Sequence, residues 1–264
     1  MSRVRVPLGI LAEAYDRVAP DYDRQLQGDA WMRSVLWERY ARLFRPGQVL
    51  LDVGCGTGID ARFLARRGMR VVGIDASAAM VAQARAKLVD DQLEDLVDLR
   101  VMDISEIGTL GTDFDGIISA FASLSAVGDL DGFAADAARL LRPRGTMLLH
   151  LLNRSSLWEW LGLVRHGRWP AARRVWRTRE RDFVIGSRSV PHYLYHVRGA
   201  YARFFRPRFR LGRAYGLGIL RPPHTIQGVP AAIVAILDGL ERPVRARRPF
   251  MDWGRFWVLE LEKR

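Results

Sequence analysis

The stretch LLDVGCGTGIDARFLARRG, residues 50–68, decides the fold of this chain. Gly54, Gly56 and Gly58 follow a short, nearly continuous apolar run, and a segment with helical spacing comes after them. Glycine permits a sharp backbone turn and leaves space for a ligand against the main chain. The N-terminus of a helix adds free N–H groups and a partial positive charge. The stretch therefore predicts a strand, a tight turn and a helix, with a ligand bound at the turn.

The same alternation of strands and helices continues along the chain. Short apolar strands are predicted at residues 48–54, 69–75, 97–104, 113–120 and 146–153. Helices are predicted within 10–44, with a break at Pro20, and at 58–68, 77–88 and 131–145. Ser77 suits the N-cap of one of them. Strands that alternate with helices over about 110 residues predict an α/β fold with a doubly wound, mostly parallel sheet.

The pattern changes after residue 153. Residues 155–183 are predicted to form one or two basic amphipathic helices. Beyond them the predicted elements are a strand at 190–196, a helix at 197–205, a strand at 209–220, a helix at 228–241 and a closing strand at 255–263. No flexible linker or internal repeat separates this part from the rest. We interpret it as an elaboration of the same domain.

The charge of the chain is distributed unevenly. The net charge is +12, and 49% of the 264 residues are hydrophobic, which is enough for the core of one large domain. Residues 1–150 hold 18 Lys and Arg with 21 Asp and Glu, whereas residues 151–264 hold 23 and 8. Within 154–213 there are 15 arginines and three acids. We interpret this segment as a basic face that serves an acceptor or partner; a solvated surface is the alternative.

Cysteine content and hydropathy indicate the compartment. Cys55 is the single cysteine, so an internal disulfide and a cysteine-based metal cluster are excluded. No apolar run approaches the roughly 18 residues of a membrane span. The opening residues hold only a short apolar patch before acids appear, so they make a poor signal peptide. We therefore expect a cytoplasmic protein.

The spacing of the glycines favours one kind of ligand. The dinucleotide fingerprint is G-x-G-x-x-G, whereas this turn reads G-C-G-T-G. Asp52, Asp75 and Asp103 lie near the ends of three successive predicted strands. A carboxylate at a strand end can accept the hydroxyls of a ribose. Carboxylates around a loop without a phosphate-binding pattern favour a nucleoside that carries an amino acid over a pyrophosphate.

Four motifs resemble those of the class I S-adenosylmethionine (SAM)-dependent methyltransferases. They are VLLDVGCGTG (49–58), VVGIDASAAMVAQAR (71–85), VMDI (101–104) and FDGIISAFASL (114–124). The resemblance covers about residues 15–153, including LLRPRGTMLLHLLN (140–153). It implies a Rossmann-like, seven-stranded sheet with an antiparallel last strand, an N-terminal helical lid and a basic insertion after strand five. It also implies SAM as cofactor and S-adenosylhomocysteine as product.

The resemblance assigns a cofactor site residue by residue. Its members are Tyr22, Asp52, Gly54, Gly56, Gly58, Asp75, Ala76, Met80, Asp103, Ile104 and Phe121. The acid and glycines of 52–58 would hold the methionine portion, and Asp75 would bind the ribose. Met80 would pack on the adenine, while Asp103 and Ile104 would receive its edge. Phe121 would lie near the methionine portion or the sulfonium.

A further stretch, AYDRVAPDYD (14–23), is similar to the lid of the quinone-methylating branch of this family. There Tyr22 would approach the cofactor and Tyr15 the cleft. We therefore expect a single methyltransferase domain over 1–264 with four parts. These are an N-terminal helical lid (1–45), a SAM-binding core (46–153), a basic insertion that forms an acceptor lid (154–208), and C-terminal strands and helix (209–264).

The residues after strand four narrow the acceptor. In the family, methylation of a base nitrogen goes with an Asn/Asp-Pro-Pro-Tyr/Phe run, whereas this chain has SAFA at 119–122. Cys55 lies in the cofactor loop, so it does not match a cytosine-attacking nucleophile. No cluster of carboxylates suggests a catalytic metal. We expect metal-independent transfer to O, N or C of a small acceptor that is anionic or lipid-like, by in-line positioning.

Three histidines are candidates for a general base that removes the proton of the acceptor. They are His150, at the end of strand five, and His192 and His196 in VPHYLYH (190–196), of which His150 and His192 are the first choices. Strand alternation places His192 and His196 on one face and Tyr193 on the other. Only one of these faces can line the cleft. A structural role in the core is the alternative for each histidine.

The insertion mixes arginines with Trp158, Trp160, Trp169 and Trp176. Arginine with tryptophan suits an anionic acceptor and equally an anionic membrane, so peripheral membrane contact through 154–181 is one hypothesis. RNA could also bind such a surface, but no RNA-binding module accompanies it, so nucleic acid is not the expected partner. Two alternatives to a small-molecule methyltransferase stay open: a non-catalytic SAM-fold protein that acts as a scaffold, and an RNA methyltransferase that uses the basic half. The sequence does not predict an oligomeric state.

Overall fold

The computed structural model describes residues 8–111, 113–226 and 228–264. The first seven residues of the predicted lid lie outside the described residues. The α-helices are α1 (Leu8–Val18), α2 (Tyr22–Gln25), α3 (Ala30–Leu43), α4 (Ile59–Ala65), α5 (Ala78–Asp91), α6 (Leu130–Leu140), α7 (Leu157–Arg165), α8 (Trp169–Arg174), α9 (Val197–Ala200) and α10 (Ala231–Val244). The strands are β1 (Val49–Val53), β2 (Arg70–Asp75), β3 (Val97–Val101), β4 (Phe114–Ser119), β5 (Leu141–Leu152), β6 (Glu180–Ile185), β7 (Arg188–Tyr193), β8 (Phe209–Leu217) and β9 (Phe256–Lys263).

Seven strands form one sheet in the order β3-β2-β1-β4-β5-β9-β8. Strands β1 to β5 are parallel to one another, and β9 runs antiparallel to both β5 and β8. The predicted doubly wound sheet with an antiparallel last strand is confirmed. The strand order reverses between β1 and β4, and ligands of open α/β sheets bind at such a reversal, beyond the carboxyl ends of the strands.

Two apolar layers cover the two faces of the sheet. Alternate residues of β1 contribute to different layers, because successive side chains of a strand point to opposite faces. Leu51 and Val53 belong to the layer that includes α6 residues, and Leu50 belongs to the layer with α3, α4 and α5 residues. All three side chains are buried. This explains why the run at 49–53 is continuously apolar.

The local start and stop signals act as predicted in the first half. The Ser77 side chain accepts a hydrogen bond from the Met80 N–H at 3.1 Å and caps α5. Helix α1 ends at Val18, and Pro20 lies in the short 3₁₀ turn that follows. Helix α4 begins directly after Gly58. The glycine turn therefore has the predicted strand–turn–helix geometry.

The predicted helix over 131–145 is wrong at its end. Helix α6 stops at Leu140, and β5 already begins at Leu141. Pro143 lies inside that strand, where the pairing with β4 is interrupted. Proline has no N–H to donate to a neighbouring strand, so it is tolerated only where the ladder is broken. Arg144 has a φ of 62°, which marks the same irregularity.

The predicted helical segment 155–183 is also wrong in part. Helices α7 and α8 occupy its first two thirds, but 180–185 forms β6, which pairs antiparallel with β7 in a separate two-stranded sheet. Gly186 and Ser187 join the two strands with φ values of 52° and 68°. Positive φ at both turn residues matches the twist of a tight hairpin. The sequence prediction missed β6 and the turn of this hairpin of 180–193, whereas the strand predicted at 190–196 overlaps β7.

Candidate active site

A cavity of about 520 Å³ lies at the carboxyl ends of β1 to β4. On the sheet side it is lined by residues that follow these strands, including Gly54, Asp75, Asp103 and Ser123. On the opposite side it is lined by α1 and by the hairpin of 180–193. The cavity thus lies where the reversal of strand order predicts a binding crevice.

The three glycines of the turn have different structural reasons. All have positive φ, at 74°, 54° and 76° for Gly54, Gly56 and Gly58. A Cβ on Gly54 would overlap the Ser123 side chain, and one on Gly58 would lie 2.9 Å from Ala84 Cβ. A Cβ on Gly56 would come no closer than 3.7 Å to a neighbour. Gly56 therefore borders open space in the cavity, which is the space that a ligand would fill.

Asp75 connects the end of β2 to the glycine turn. Its Oδ2 accepts the Gly56 N–H at 2.9 Å, and its Oδ1 accepts the Ser77 N–H at 2.9 Å. Burial raises the pKa of Asp75 above its ordinary value, and the two N–H donors oppose that rise. Each carboxylate oxygen can accept a second hydrogen bond. The carboxylate is held in place with acceptor capacity left for ligand hydroxyls.

Asp103 is more occupied than the sequence prediction assumed. Its Oδ1 accepts both the N–H and the hydroxyl of Ser105, at 2.7 and 2.6 Å. The Glu106 side chain in turn accepts the Asp103 N–H at 3.1 Å, which completes a capping box. Asp103 and Ile104 both line the cavity. Much of the Asp103 carboxylate is used to order the short turn that follows it.

The structure brings most of the predicted cofactor residues to one cavity. Those that line it are Tyr22, Gly54, Gly56, Asp75, Ala76, Met80, Asp103 and Ile104. Asp52, Gly58 and Phe121 do not line it. Asp52 is 1% exposed, burial raises its pKa well above the ordinary value, and its Oδ2 has no hydrogen-bond partner in the part of the chain that the structure describes. The geometry favours a structural role for Gly58, which packs α4 against α5.

Phe121 lies outside the cavity lining. Its backbone has a φ of 50°, and its ring is covered by the Arg33 guanidinium, whose Cζ lies 4.3 Å from the ring centroid. Arg33 also pairs with Asp60, which accepts the indole N–H of Trp37 at 2.7 Å. Sequence reasoning missed this network, because Arg33 is one of three arginines on α3 and the sequence does not show which of them faces the core.

The surroundings of His150 do not suit a general base. Its Nδ1 accepts the Phe121 N–H at 3.1 Å, so its Nε2 carries the proton of the neutral ring. The side chain is fully buried and does not line the cavity. Burial, with a smaller contribution from Arg33, lowers the pKa of His150 to about 3. The lone pair that a base needs is already engaged, and the geometry indicates that His150 positions the backbone of Phe121.

His192 also points away from the cavity. Its Nδ1 lies 3.0 Å from the Val190 carbonyl oxygen, and its ring meets Phe183 edge-on at 4.9 Å between centroids. Burial lowers the pKa of His192. Tyr193, the next residue, lines the cavity instead, together with Glu180. Strand alternation identified the two possible faces, and the structure selects the tyrosine face.

Helix α1 covers the cavity and is fastened on two sides. The Asp16 carboxylate accepts the Ser77 hydroxyl at 2.6 Å and the Ala79 N–H at 3.0 Å, at the start of α5. On the other side, Glu13 pairs with Arg188 of β7 at 3.0 Å. Tyr15 and Tyr22 line the cavity beneath, with their rings edge-on at 6.1 Å. Burial raises the pKa of Tyr22 to about 12, so its hydroxyl keeps its proton near neutral pH.

Many lining residues were not predicted from the sequence. They are Leu11, Ala12, Ser77, Ser105, Ser123, Ala126, Val127, Gly128, Asp129, Gly132, Phe133, Asp136, Glu180 and Tyr193. Among the described lining residues there is neither Lys nor Arg. Arginines of the basic insertion instead border a separate open surface depression beside α7 and α8, at Arg168, Arg174 and Arg181. The expectation that these arginines attract an anionic acceptor into the cavity is therefore not supported by their positions.

The comparison with known proteins agrees with the sheet order and the glycine turn. Residues 50–145 match the family model described as a methyltransferase domain. This part of the chain is a class I SAM-dependent methyltransferase domain, a class whose cofactor is SAM.

Particular relatives share this domain. A demethylmenaquinone methyltransferase of Tropheryma whipplei (strain Twist) is 34% identical over 146 residues, covering 53% of this chain and 57% of that protein. A ubiquinone biosynthesis O-methyltransferase of Mesorhizobium japonicum is 33% identical over 117 residues, covering 44% and 45%. The chain spans about half the length of these curated relatives. The structure of the cyclase SpnF superposes with a TM-score of 0.61 over 99% of both chains at 19% identity, a likeness of fold alone.

The described residues contain neither a membrane-spanning helix nor a metal-binding group of side chains. No helix among them is long and apolar enough to cross a bilayer. Nor do they contain a group of three or more His, Cys, Asp or Glu side chains arranged to hold a metal ion.

Proposed function

We propose that this protein transfers the methyl group of SAM to a small acceptor molecule. The observation that carries the proposal is a single cavity that reaches from Gly56 and Asp75 to Glu180 and Tyr193 beneath α1. A donor bound at the glycine turn and an acceptor under the hairpin would share that space. Methyl transfer needs mainly the in-line placement of two reactants, which one cavity can supply.

The residues at the glycine turn fit SAM. Gly56 leaves the space that a side chain would fill, and Asp75 keeps acceptor capacity for ribose hydroxyls. Ala76, Met80 and Ile104 supply apolar surface for the adenine, and Tyr22 offers a protonated hydroxyl. SAM supplies an electrophilic methyl group on a sulfonium. Asp52, Gly58 and Phe121 do not line the cavity, so they would support the site without contacting SAM.

We propose an uncharged, partly apolar acceptor that bears a hydroxyl group or a nucleophilic ring carbon. Leu11, Val127 and Phe133 add apolar lining, whereas Asp129 and Glu180 would repel an anion. The names of the two curated relatives, which concern menaquinone and ubiquinone, support an acceptor of this kind. Of the two kinds of acceptor expected from the sequence, we therefore retain the lipid-like one and not the anionic one.

In the transfer step, a bond forms between the acceptor nucleophile and the methyl carbon while the bond from that carbon to sulfur breaks. The acceptor loses a proton, which a carboxylate can take up. Glu180, opposite Tyr193 in the hairpin register, is our candidate for that role. We propose a metal-independent reaction, so activity should survive EDTA; loss of activity on chelation and its recovery with Mg²⁺ would overturn this part.

Two measurements test the proposal in order. Isothermal titration with SAM and with S-adenosylhomocysteine comes first. If neither compound binds, the enzyme hypothesis is wrong. The second is incubation with methyl-labelled SAM and a panel of hydroxylated quinone precursors, followed by mass spectrometry. SAM binding without label transfer to the panel or to a metabolite extract would favour the non-catalytic SAM-fold alternative.

A further inference from the structure

Helix α10, Ala231–Val244, is turned with its polar residues towards the protein. Glu241 is the one buried residue of the helix in the described structure, at 4% exposed. Its carboxylate accepts the backbone N–H groups of residues 218–221 at 2.9, 2.8, 2.9 and 3.2 Å. Asp238, three residues earlier, pairs with Arg221. Both acids of α10 are thus used to attach it to the segment after β8.

The outward face of α10 is apolar. Ile233, Ile236 and Leu240 are spaced i, i+3 and i+7, and their exposed fractions are 47%, 62% and 56%. Residues at this spacing lie on one side of a helix. Ile226, in the loop before the helix, is 43% exposed as well. An amphipathic surface helix ordinarily faces its apolar side inward, so this orientation leaves an apolar stripe without a partner in the described structure.

Positive charge lies at the C-terminal end of this stripe. The sequence from 242 to 248 reads RPVRARR, and Arg242, Arg247 and Arg248 are exposed. Asp238 and Glu241 face inward, so the apolar stripe itself presents no charged residue. At about 3.6 residues per turn, Arg242 lies on the flank of α10 opposite Ile233, whereas Arg247 and Arg248 follow the end of the helix. An apolar stripe bordered by arginines has the charge and hydropathy of a helix that lies in the interface of an anionic bilayer.

We propose that α10 docks on an anionic lipid surface, with Ile233, Ile236 and Leu240 in the interface and Arg247 and Arg248, beyond the helix end, on the headgroups. A second copy of the chain is the less suitable occupant. A stable dimer buries about 800 Å² on each partner, far more than three aliphatic side chains offer. The surface differs from the 154–181 segment, which the arginine and tryptophan content had suggested.

Vesicle sedimentation of the full chain tests this assignment. We expect binding to vesicles of phosphatidylglycerol and phosphatidylcholine and weaker binding to phosphatidylcholine alone. The double variant I236S/L240S should lower the partition coefficient about tenfold or more, because its apolar anchor is removed. The variant R247Q/R248Q should weaken binding to anionic vesicles several-fold and flatten its salt dependence.

Matched controls are available elsewhere on the surface. Val89 and Val184 are 59% and 78% exposed, so V89S/V184S removes comparable apolar surface far from α10 in the chain and should leave vesicle binding unchanged. Equal loss in both double variants, or no binding to anionic vesicles, would overturn the assignment. Loss with W169S/W176S but not with I236S/L240S would move the contact to the 154–181 segment. Concentration-dependent dimerisation abolished by I236S/L240S, without vesicle binding, would assign α10 to a second copy.

Discussion

The two ends of the cavity are built from different materials. At the glycine turn the lining is backbone and a carboxylate that backbone N–H groups hold, as in Gly56 and Asp75. Under the hairpin it is side chains from elements far apart in the chain, such as Val127 and Tyr193. A surface made by the backbone of consecutive strand ends depends on local sequence. A surface made by side chains depends on which faces of distant elements meet.

This comparison predicts the largest effect at Gly56. Gly56→Val should abolish measurable SAM binding, roughly a hundredfold loss or more, because a β-branched residue at φ 54° is strained and its side chain would enter the cavity. Isothermal titration measures the affinity. Gly47→Val is the matched control, since Gly47 also has a positive φ of 84° but has no neighbour within 4 Å of the added Cβ. Equal loss of binding in the control would mean that strain, not occupancy of the cavity, is responsible.

The next effect is expected at Asp75. Asp75→Asn keeps the size of the side chain and removes its charge, so SAM affinity should fall about ten- to a hundredfold, since hydrogen bonds to a charged group contribute about 1.5–3 kcal/mol. Asp98→Asn changes an exposed acid on β3 and should have no effect on titration. A folded Asp75→Asn protein with unchanged affinity would contradict the ribose role.

Adjacent residues on β7 test the other end. Tyr193→Phe should lower kcat/KM for the acceptor about five- to tenfold by removing one hydroxyl from the lining, with SAM affinity unchanged. His192→Gln, one position away on the opposite face of the strand, should change either quantity less than twofold. The reverse ranking of the two variants would show that the hairpin turns its histidine face to the acceptor.

The smallest effect is expected from the basic insertion. Neutralising Arg173, Arg174 and Arg177 together should change the acceptor KM and the SAM affinity less than twofold, because these three arginines lie outside the cavity lining. Steady-state kinetics at low and at physiological ionic strength measures this. The anionic acceptor would be restored by two results together: a raised KM in the triple variant, and a KM of the unmodified protein that depends on salt.

The same contrast explains what could be predicted from the sequence. Strands β1 to β4, the start of α4 and the cap at Ser77 follow from residues close together in the chain, and the structure confirms them. The β6 strand could not be recognised so easily, because its first three residues are all charged and its pairing partner is β7. His150 ends an apolar strand as predicted, but only the tertiary structure shows that the Phe121 N–H occupies its ring nitrogen.

The attachment of α10 separates two demands that usually fall on the same residues. Glu241 secures the helix through four backbone N–H groups, whereas Ile233, Ile236 and Leu240 contribute little to the interior. Substitutions on the outward face should therefore be nearly neutral for folding, while Glu241 should tolerate almost none, since its loss would leave buried donors unpaired. Natural variation could thus adjust what this face touches, generation by generation, while selection for a folded chain holds a single carboxylate constant.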